Sequence, residues 1–451
     1  MKECNPHTHP IQAPPRIGPD GPLSVHGLYL HVPFCFHKCH YCDFYSLVEP
    51  KGRPDRQAPF TDALIAELNY RADRHALQPG TLFVGGGTPT LLRPDLWARL
   101  INAMQKAGVL RRVTEFTVEA NPETVTPDLM AVLSAGGVNR VSLGAQSFNL
   151  DQLKTLERWH DPDTVPKAVD LARDAGIRNL NLDLIFAIPG QTLDSLDQDL
   201  DAALVLQPTH LSCYSLIFEP NTPLTQKMKL GRISPVGEDL EKQMYAHVIQ
   251  RLDDAGFEHY EVSNWARKDS GFGDRGSAST HADPERRQGP GSLRNSTINH
   301  QQSNASHRRA SVPQTPGPRP QTPLVCQHNM VYWTNRNWLG LGPSAASHLA
   351  GKRWKNQPHL GRYITNAPTP PTTDHEALPP RRRIGEQIML GLRLRKGLKL
   401  DWIKQHIPND DPRHNTIDQM IRIDMLERTT THLRLTHKGL FLADSVIAKL
   451  L

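Results

Sequence analysis

Tyr29-Leu-His-Val-Pro-Phe-Cys35-Phe-His-Lys-Cys39-His-Tyr-Cys42-Asp43-Phe44 is the stretch on which the reading of this chain turns. It spaces three cysteines as Cys-x3-Cys-x2-Cys. Three thiolates hold three irons of a cubane [4Fe-4S] cluster and leave the fourth iron open, much as a catalytic zinc site keeps an open position. Zinc on the same thiolates, with His37 or His40 as fourth ligand, is the alternative, because Cys3His sites are common. Zinc knuckles usually come as two short pairs separated by a longer stretch, whereas here every candidate ligand crowds into one loop. A disulfide framework fits less well. Six cysteines in 451 residues are sparse, and three in one loop cannot pair evenly, so a reducing cytosol is expected.

Outward from this loop, short apolar runs alternate with stretches of helical period, which predicts βα units around a parallel sheet. Strand Leu28 to Val32 precedes the cysteines. Helix Thr61 to Ala76 then leads to strand Thr81 to Val84, which runs into Gly85-Gly-Gly-Thr-Pro-Thr90. The alternation continues to a last helix, Asp239 to Ala255, and a last strand, Glu258 to Val262. Six or seven such units predict an α/β fold, a partial or complete βα barrel, with sites at the C-terminal ends of its strands. The barrel is expected over residues 25–266 and 324–375.

Residues 267–323 interrupt it as a disordered basic insertion, too poor in large apolar residues to offset ordering entropy. The Pro- and His-rich stretch 1–24 is read as a disordered tail. Net charge is +6, but nine basic and four acidic residues lie between Arg267 and Pro323, so the remainder is almost neutral and no nucleic-acid-binding face is indicated. No apolar run approaches the roughly 18 residues of a membrane span. Over 376–451, helices Arg381 to Leu394, Leu398 to His406 and Thr416 to Ile423, strand Leu433 to Thr436 and a closing helix Gly439 to Leu450 predict a small winged-helix-like domain.

Several residues fall where a barrel would gather them. The glycine run after the second strand lets backbone approach closely. Glu119, Gln146 and Asp183 are polar residues at or near the ends of otherwise apolar strands, where packing explains them poorly. Each could also anchor a loop or cap a helix. Farther on, Cys326-Gln-His328-Asn329-Met-Val-Tyr332-Trp333 packs thiol, imidazole, phenol and indole into eight residues. Such groups suit haem ligation, or simply a loop histidine followed by a packed strand. The lone Gly340-Leu-Gly342 supports no phosphate site.

The cysteine spacing resembles the radical S-adenosylmethionine (SAM) superfamily, and Cys42-Asp43-Phe44 resembles its HemW-type haem chaperones. The related oxygen-independent coproporphyrinogen III oxidases carry a fourth cysteine where this chain has Phe44, and a longer ordered segment where some 28 residues precede Tyr29. The resemblance covers roughly 25–266 and 326–451 and includes Tyr260-Glu-Val-Ser-Asn264, Leu339 to His348 and the His-Asn-x-x-Tyr-Trp pattern. Pro343 and Ser347 depart from the family's usual small-residue run.

The resemblance implies a radical SAM barrel with its cluster on Cys35, Cys39 and Cys42. It implies SAM against Tyr29, Tyr41, Gly86, Gly87, Thr88, Glu119, Gln146, Arg158 and Asp183, and haem on His328. The implied function is a cytoplasmic haem chaperone that passes haem to an acceptor protein, with peripheral membrane association and a homodimer left open. SAM cleavage is compatible with it. The alternative is coproporphyrinogen III oxidation in porphyrin biosynthesis, against which Phe44 stands. Replacing Cys35, Cys39 and Cys42 together with Ala should abolish the broad visible absorption of the anaerobically reconstituted protein; a triple variant that keeps a full cluster spectrum would defeat the cluster assignment.

Overall fold

A computed structural model describes residues 24–49, 55–75, 77–268 and 324–451. Apart from residues 24, 267 and 268, the expected tail and insertion lie outside the described residues. The main sheet has twelve strands. In chain order, β1 is Gly27–Val32, and the two-residue strands β2 (Phe34–Cys35) and β3 (Leu47–Val48) pair with each other across the cysteine loop. Next come β4 (Thr81–Gly86), β5 (Glu115–Ala120), β6 (Arg140–Gln146), β7 (Asn179–Phe186), β8 (His210–Ser215), β9 (Phe257–Glu261) and β10 (Asn264–Arg267). After residue 323 follow β11 (Trp338–Leu341), β12 (Ala346–Leu349), β13 (Lys352–Asn356) and β14 (Thr372–Ala377). The order across the sheet is β14-β13-β12-β11-β1-β4-β5-β6-β7-β8-β10-β9.

The run from β11 through β8 is parallel, giving seven strands of a partial barrel, and both flanks continue as antiparallel strands. Two features differ from the sequence expectation. The last unit is not a βα repeat, because β9 and β10 are joined by only Val262 and Ser263, too short for a parallel crossover, and so fold as a hairpin. The stretch after residue 323 enters as helix Gln327–Trp333 and not as a strand.

Why these residues make a barrel is clearest in β5 to β8. Phe116 and Val118, Val141 and Leu143, Leu180 and Leu182, and Leu211 and Cys213 belong to one buried core with the surrounding helices. The alternate positions are Thr117 and Glu119, Arg140 and Ser142, Asn181 and Asp183, and His210 and Ser212. Period-two alternation therefore gives an apolar outer face and a polar inner one.

Helix Pro94–Lys106 shows how the outer layer is fastened. Pro94 opens it at a position where no amide hydrogen is needed, and its buried Leu96, Trp97, Leu100, Ile101 and Met104 recur at helical spacing. The Trp97 indole also donates to the Pro89 carbonyl at 3.0 Å, tying down the glycine-rich turn.

The C-terminal unit has its own core, including Ile388, Leu392, Ile417, Leu433 and Leu435. Helix Pro380–Arg393 is followed by Leu398–Lys399, two helices (Leu400–His406 and Arg413–Arg422) and strands Leu426–Arg428 and His432–Leu435, a winged-helix arrangement. The single closing helix read from the sequence is two short ones, His437–Leu440 and Ala443–Ala448, because Leu442 leaves the helical backbone at φ −123°.

Trp97→Ala removes a fully buried indole. It is expected to cost about 3–5 kcal/mol of stability, read as a lowered denaturation midpoint; a change below about 1 kcal/mol would contradict this packing.

Candidate active site

β1 delivers the chain into the cysteine loop, and β4 to β8 end around the same opening. Cys35, Cys39, Cys42, Tyr41, Gly86, Gly87, Thr88, Glu119, Gln146, Arg158 and Asp183 all line one cavity of about 510 Å³. These eleven come from six separate segments of chain, which only the barrel brings together.

The thiols are held by named contacts. The Arg158 guanidinium lies 3.4 Å from the Cys39 sulfur and also donates to the Gly144 carbonyl at 2.8 Å and to Asn121 at 3.1 Å. The Thr88 hydroxyl donates to the Cys35 sulfur at 3.7 Å. Burial pushes the Cys35 thiol up against the opposing pull of Thr88, and pushes Cys42 up to about 11. Such buried thiols are thiolates at neutral pH only beside a cation, and a metal deprotonates them outright.

Among the described residues no three His, Cys, Asp or Glu side chains are gathered closely enough to hold a single ion. The three thiols line the wall of this one cavity. A three-sulfur donor set of this kind fits an iron–sulfur cluster.

The glycine run serves the protein itself. A Cβ on Gly86, at φ +109°, would come within 2.5 Å of the His31 ring, and one on Gly87 within 2.5 Å of the Phe34 carbonyl oxygen. Gly87 and Thr88 donate their amides to Val32 and Phe34 at 2.8 and 2.6 Å, joining this turn to the cysteine loop. Gly86 donates to a Glu119 carboxylate oxygen at 3.1 Å. Burial, with Asp183 nearby, raises the Glu119 carboxyl to about 7.

Burial also raises Asp183, although it accepts hydrogen bonds from Ser142 at 3.0 Å and Asn181 at 2.8 Å. Asn181 continues inward to His210 at 2.6 Å, and His210 to the Tyr260 hydroxyl at 2.9 Å. Gln146 stands in the left-handed region at φ +64°, and Ser147 and Phe148 anchor its loop to the buried Asp199 carboxylate.

Two expected residues lie elsewhere. Tyr29 does not line the cavity; its hydroxyl lies 3.2 Å from His31 Nδ1, and His31 Nε2 holds the Tyr45 carbonyl at 2.8 Å, which links Tyr29 to the end of the cysteine loop. His328 lies at the opposite end of the barrel, against the first residue of β4. Its Nδ1 is 2.9 Å from the Thr81 hydroxyl and its Nε2 2.9 Å from the Tyr332 hydroxyl, while its ring stacks on Phe83. Glu115 accepts the Gln327 and His328 amides at 2.8 and 2.9 Å, and burial lowers the imidazole to about 3. Five steps along β4 separate Thr81 from Gly86, roughly 16 Å. Both ring nitrogens are committed, so offering one to iron requires breaking the Tyr332 bond and moving the helix.

Sequence reasoning missed Ser142, Asn121, Phe36, Trp159 and Tyr214, which also line the cavity. Period-two alternation along β6 and β8 could have found Ser142 and Tyr214. No such signal marks the others.

Comparison with known proteins places this architecture. Residues 29–203 match the radical SAM superfamily, and residues 378–442 match the HemN C-terminal domain. The fold and cavity are thus those of a radical SAM protein, a class that implies a [4Fe-4S] cluster and SAM. Coproporphyrinogen III oxidase (HemN) of Escherichia coli has the same fold, with a TM-score of 0.71 at 19% identity over 95% of this chain and 91% of that one. The heme chaperone HemW of Lactococcus lactis is 30% identical over 94% of this chain and 96% of its own length, and that of Mycobacterium tuberculosis 32% over 95% and 96%. The chain belongs to the HemW heme chaperone family.

Glu119→Gln tests the carboxyl. Because its folded pKa lies above the ordinary 4.5, the stability it contributes is complete below about pH 4.5 and lost as pH rises through about 7. The cofactor-free variant should therefore outlast wild type in denaturant at pH 8, with the gap closing toward pH 4.5; an equal gap at both pH values would refute the raised pKa.

Proposed function

We propose that this protein is a haem chaperone that carries a [4Fe-4S] cluster on Cys35, Cys39 and Cys42, binds SAM beside it, and binds haem for transfer to an acceptor protein. The observation that carries this reading is the three-thiol cavity with Phe44 at the position of the oxidases' fourth cysteine, in a chain alignable with HemW chaperones over nearly its whole length.

A [4Fe-4S] cluster held by Cys35, Cys39 and Cys42 would supply one-electron chemistry to this cavity. This chain's own groups do the rest. Arg158 places positive charge against the Cys39 sulfur. Thr88 orients a hydroxyl onto Cys35. Glu119, Asp183 and Gln146 offer the acceptors that sugar hydroxyls require, and Ser142 and Asn181 fix Asp183 in place. Tyr41 and Ile185 line the cavity with apolar surface and limit water around the sulfurs.

The second reading, coproporphyrinogen III oxidation, is favoured by the likeness to HemN, which at 19% identity concerns the fold. Among the described residues no helix is long and apolar enough to cross a membrane.

Two assays decide between the readings. Anaerobic haemin titration of the reconstituted protein should give a saturable Soret band, and incubation with coproporphyrinogen III, SAM and a reductant should give no protoporphyrinogen. No Soret band, or multiple turnovers of the porphyrinogen, would reverse the assignment.

A further inference from the structure

The mouth of the cavity carries an apolar rim that none of the described residues covers. Phe36 is 53% exposed, Phe44 70%, Trp159 61% and Ile217 67%, and all four line the cavity. They come from three loops: the cysteine loop, the turn after helix Leu150–Leu156, and the segment after β8. Solvated large apolar side chains are ordinary when scattered, but gathered around an opening they mark a surface that binds something apolar.

The rim is also braced. The His37 imidazole stacks on the Trp159 indole, with ring centroids 3.8 Å apart and planes within 18°. Glu157, in the left-handed conformation at φ +52°, ends the preceding helix and turns the chain so that Arg158 enters the cavity while Trp159 stays outside. Lys38 stands on the same rim, its ammonium 3.3 Å from the Phe44 carbonyl oxygen and open to solvent.

We propose that haem lies across this mouth, its macrocycle against Phe36, Phe44, Trp159 and Ile217 and one propionate toward Lys38. This rests on the haem-chaperone reading above and adds where the cargo sits. Flat aromatic faces around an opening, with a single cation at the edge, match a planar apolar ring bearing carboxylates. Of the other charged side chains on the lining, Asp43, Glu119, Glu123, Asp183 and Glu219 are carboxylates and the Arg158 guanidinium is held inside against the Cys39 sulfur and the Gly144 carbonyl, which leaves Lys38 as the cation at the edge for the propionate. The exposed Phe44 gains a role here that packing does not give it. His328, closed in at the far end of the barrel, is then a structural residue. Haem so placed covers the SAM cavity and hinders exchange of its contents.

The test uses the full-length reconstituted protein under anaerobic conditions, with haemin as probe. Phe44→Ser/Trp159→Ser changes two exposed side chains, so the variant should keep its fold and cluster spectrum. It should bind haemin at least tenfold more weakly than wild type. Leu230→Ser, at an exposed site away from the cavity, should bind like wild type. In wild type, haemin should also slow the release of radiolabelled SAM severalfold, an effect the double variant lacks. Undiminished haemin affinity in the double variant, equal loss in Leu230→Ser, or SAM release indifferent to haemin would each overturn the seat. A wild type that shows no Soret band defeats the chaperone reading itself, which separates the two failures.

Discussion

The constraint beneath everything described is the two-sided character of the barrel strands. Each of β5 to β8 buries an apolar row against helices on one face and a polar row inside the barrel on the other. Buried polar groups are costly unless hydrogen-bonded, and here part of the inner row is satisfied laterally: Ser142, Asn181, Ser212 and His210 reach one another from neighbouring strands. A slip of one residue in any strand would exchange the rows, exposing leucines to the interior and forcing charged groups into the helical layer. Register is therefore fixed from both faces, and the carboxylates and thiols at the strand ends inherit their positions from it.

That fixed register explains how much was legible in the sequence. The cysteine spacing is local, and Cys35, Cys39 and Cys42 need only one short loop to reach a common wall. Glu119 and Asp183 stand out as carboxylates beside Val118 and Leu182, so their alternation announces them. The floor helix Gln327–Trp333 was invisible for the opposite reason. It is seven residues long, and its amides are accepted by Glu115, 212 residues earlier in the chain than Gln327, a cap no local pattern contains. The β9–β10 hairpin depended on a two-residue link that periodicity alone reads as the end of a strand. Phe36 and Trp159 share a surface only after two distant loops meet.

The C-terminal unit is joined to the barrel where the sheet runs out. Arg395 donates its amide to the Tyr260 carbonyl at 3.0 Å, and Val262 donates to Arg393 at 3.2 Å, continuing the ladder past the hairpin edge. Tyr260 belongs through His210 and Asn181 to the chain of hydrogen bonds that ends on Asp183. One residue thus faces both the lining of the cavity and the docking edge of the winged-helix unit. An edge strand with free amides and carbonyls invites unwanted pairing, and covering it with this unit closes one such edge.

The placement of β11 beside β1 bears on how the molecule comes into being. The parallel strand that flanks the cysteine-bearing edge, and the helix that seals the floor against Glu115 and Thr81, are encoded after residue 323. A nascent chain that has emerged only through β10 holds its cysteine loop after a strand, β1, with one side unpaired, and a floor without its seal. The final arrangement of the cysteine loop therefore waits on the segment after residue 323, so that the strand before the loop gains its second neighbour only when most of the sheet has already been made.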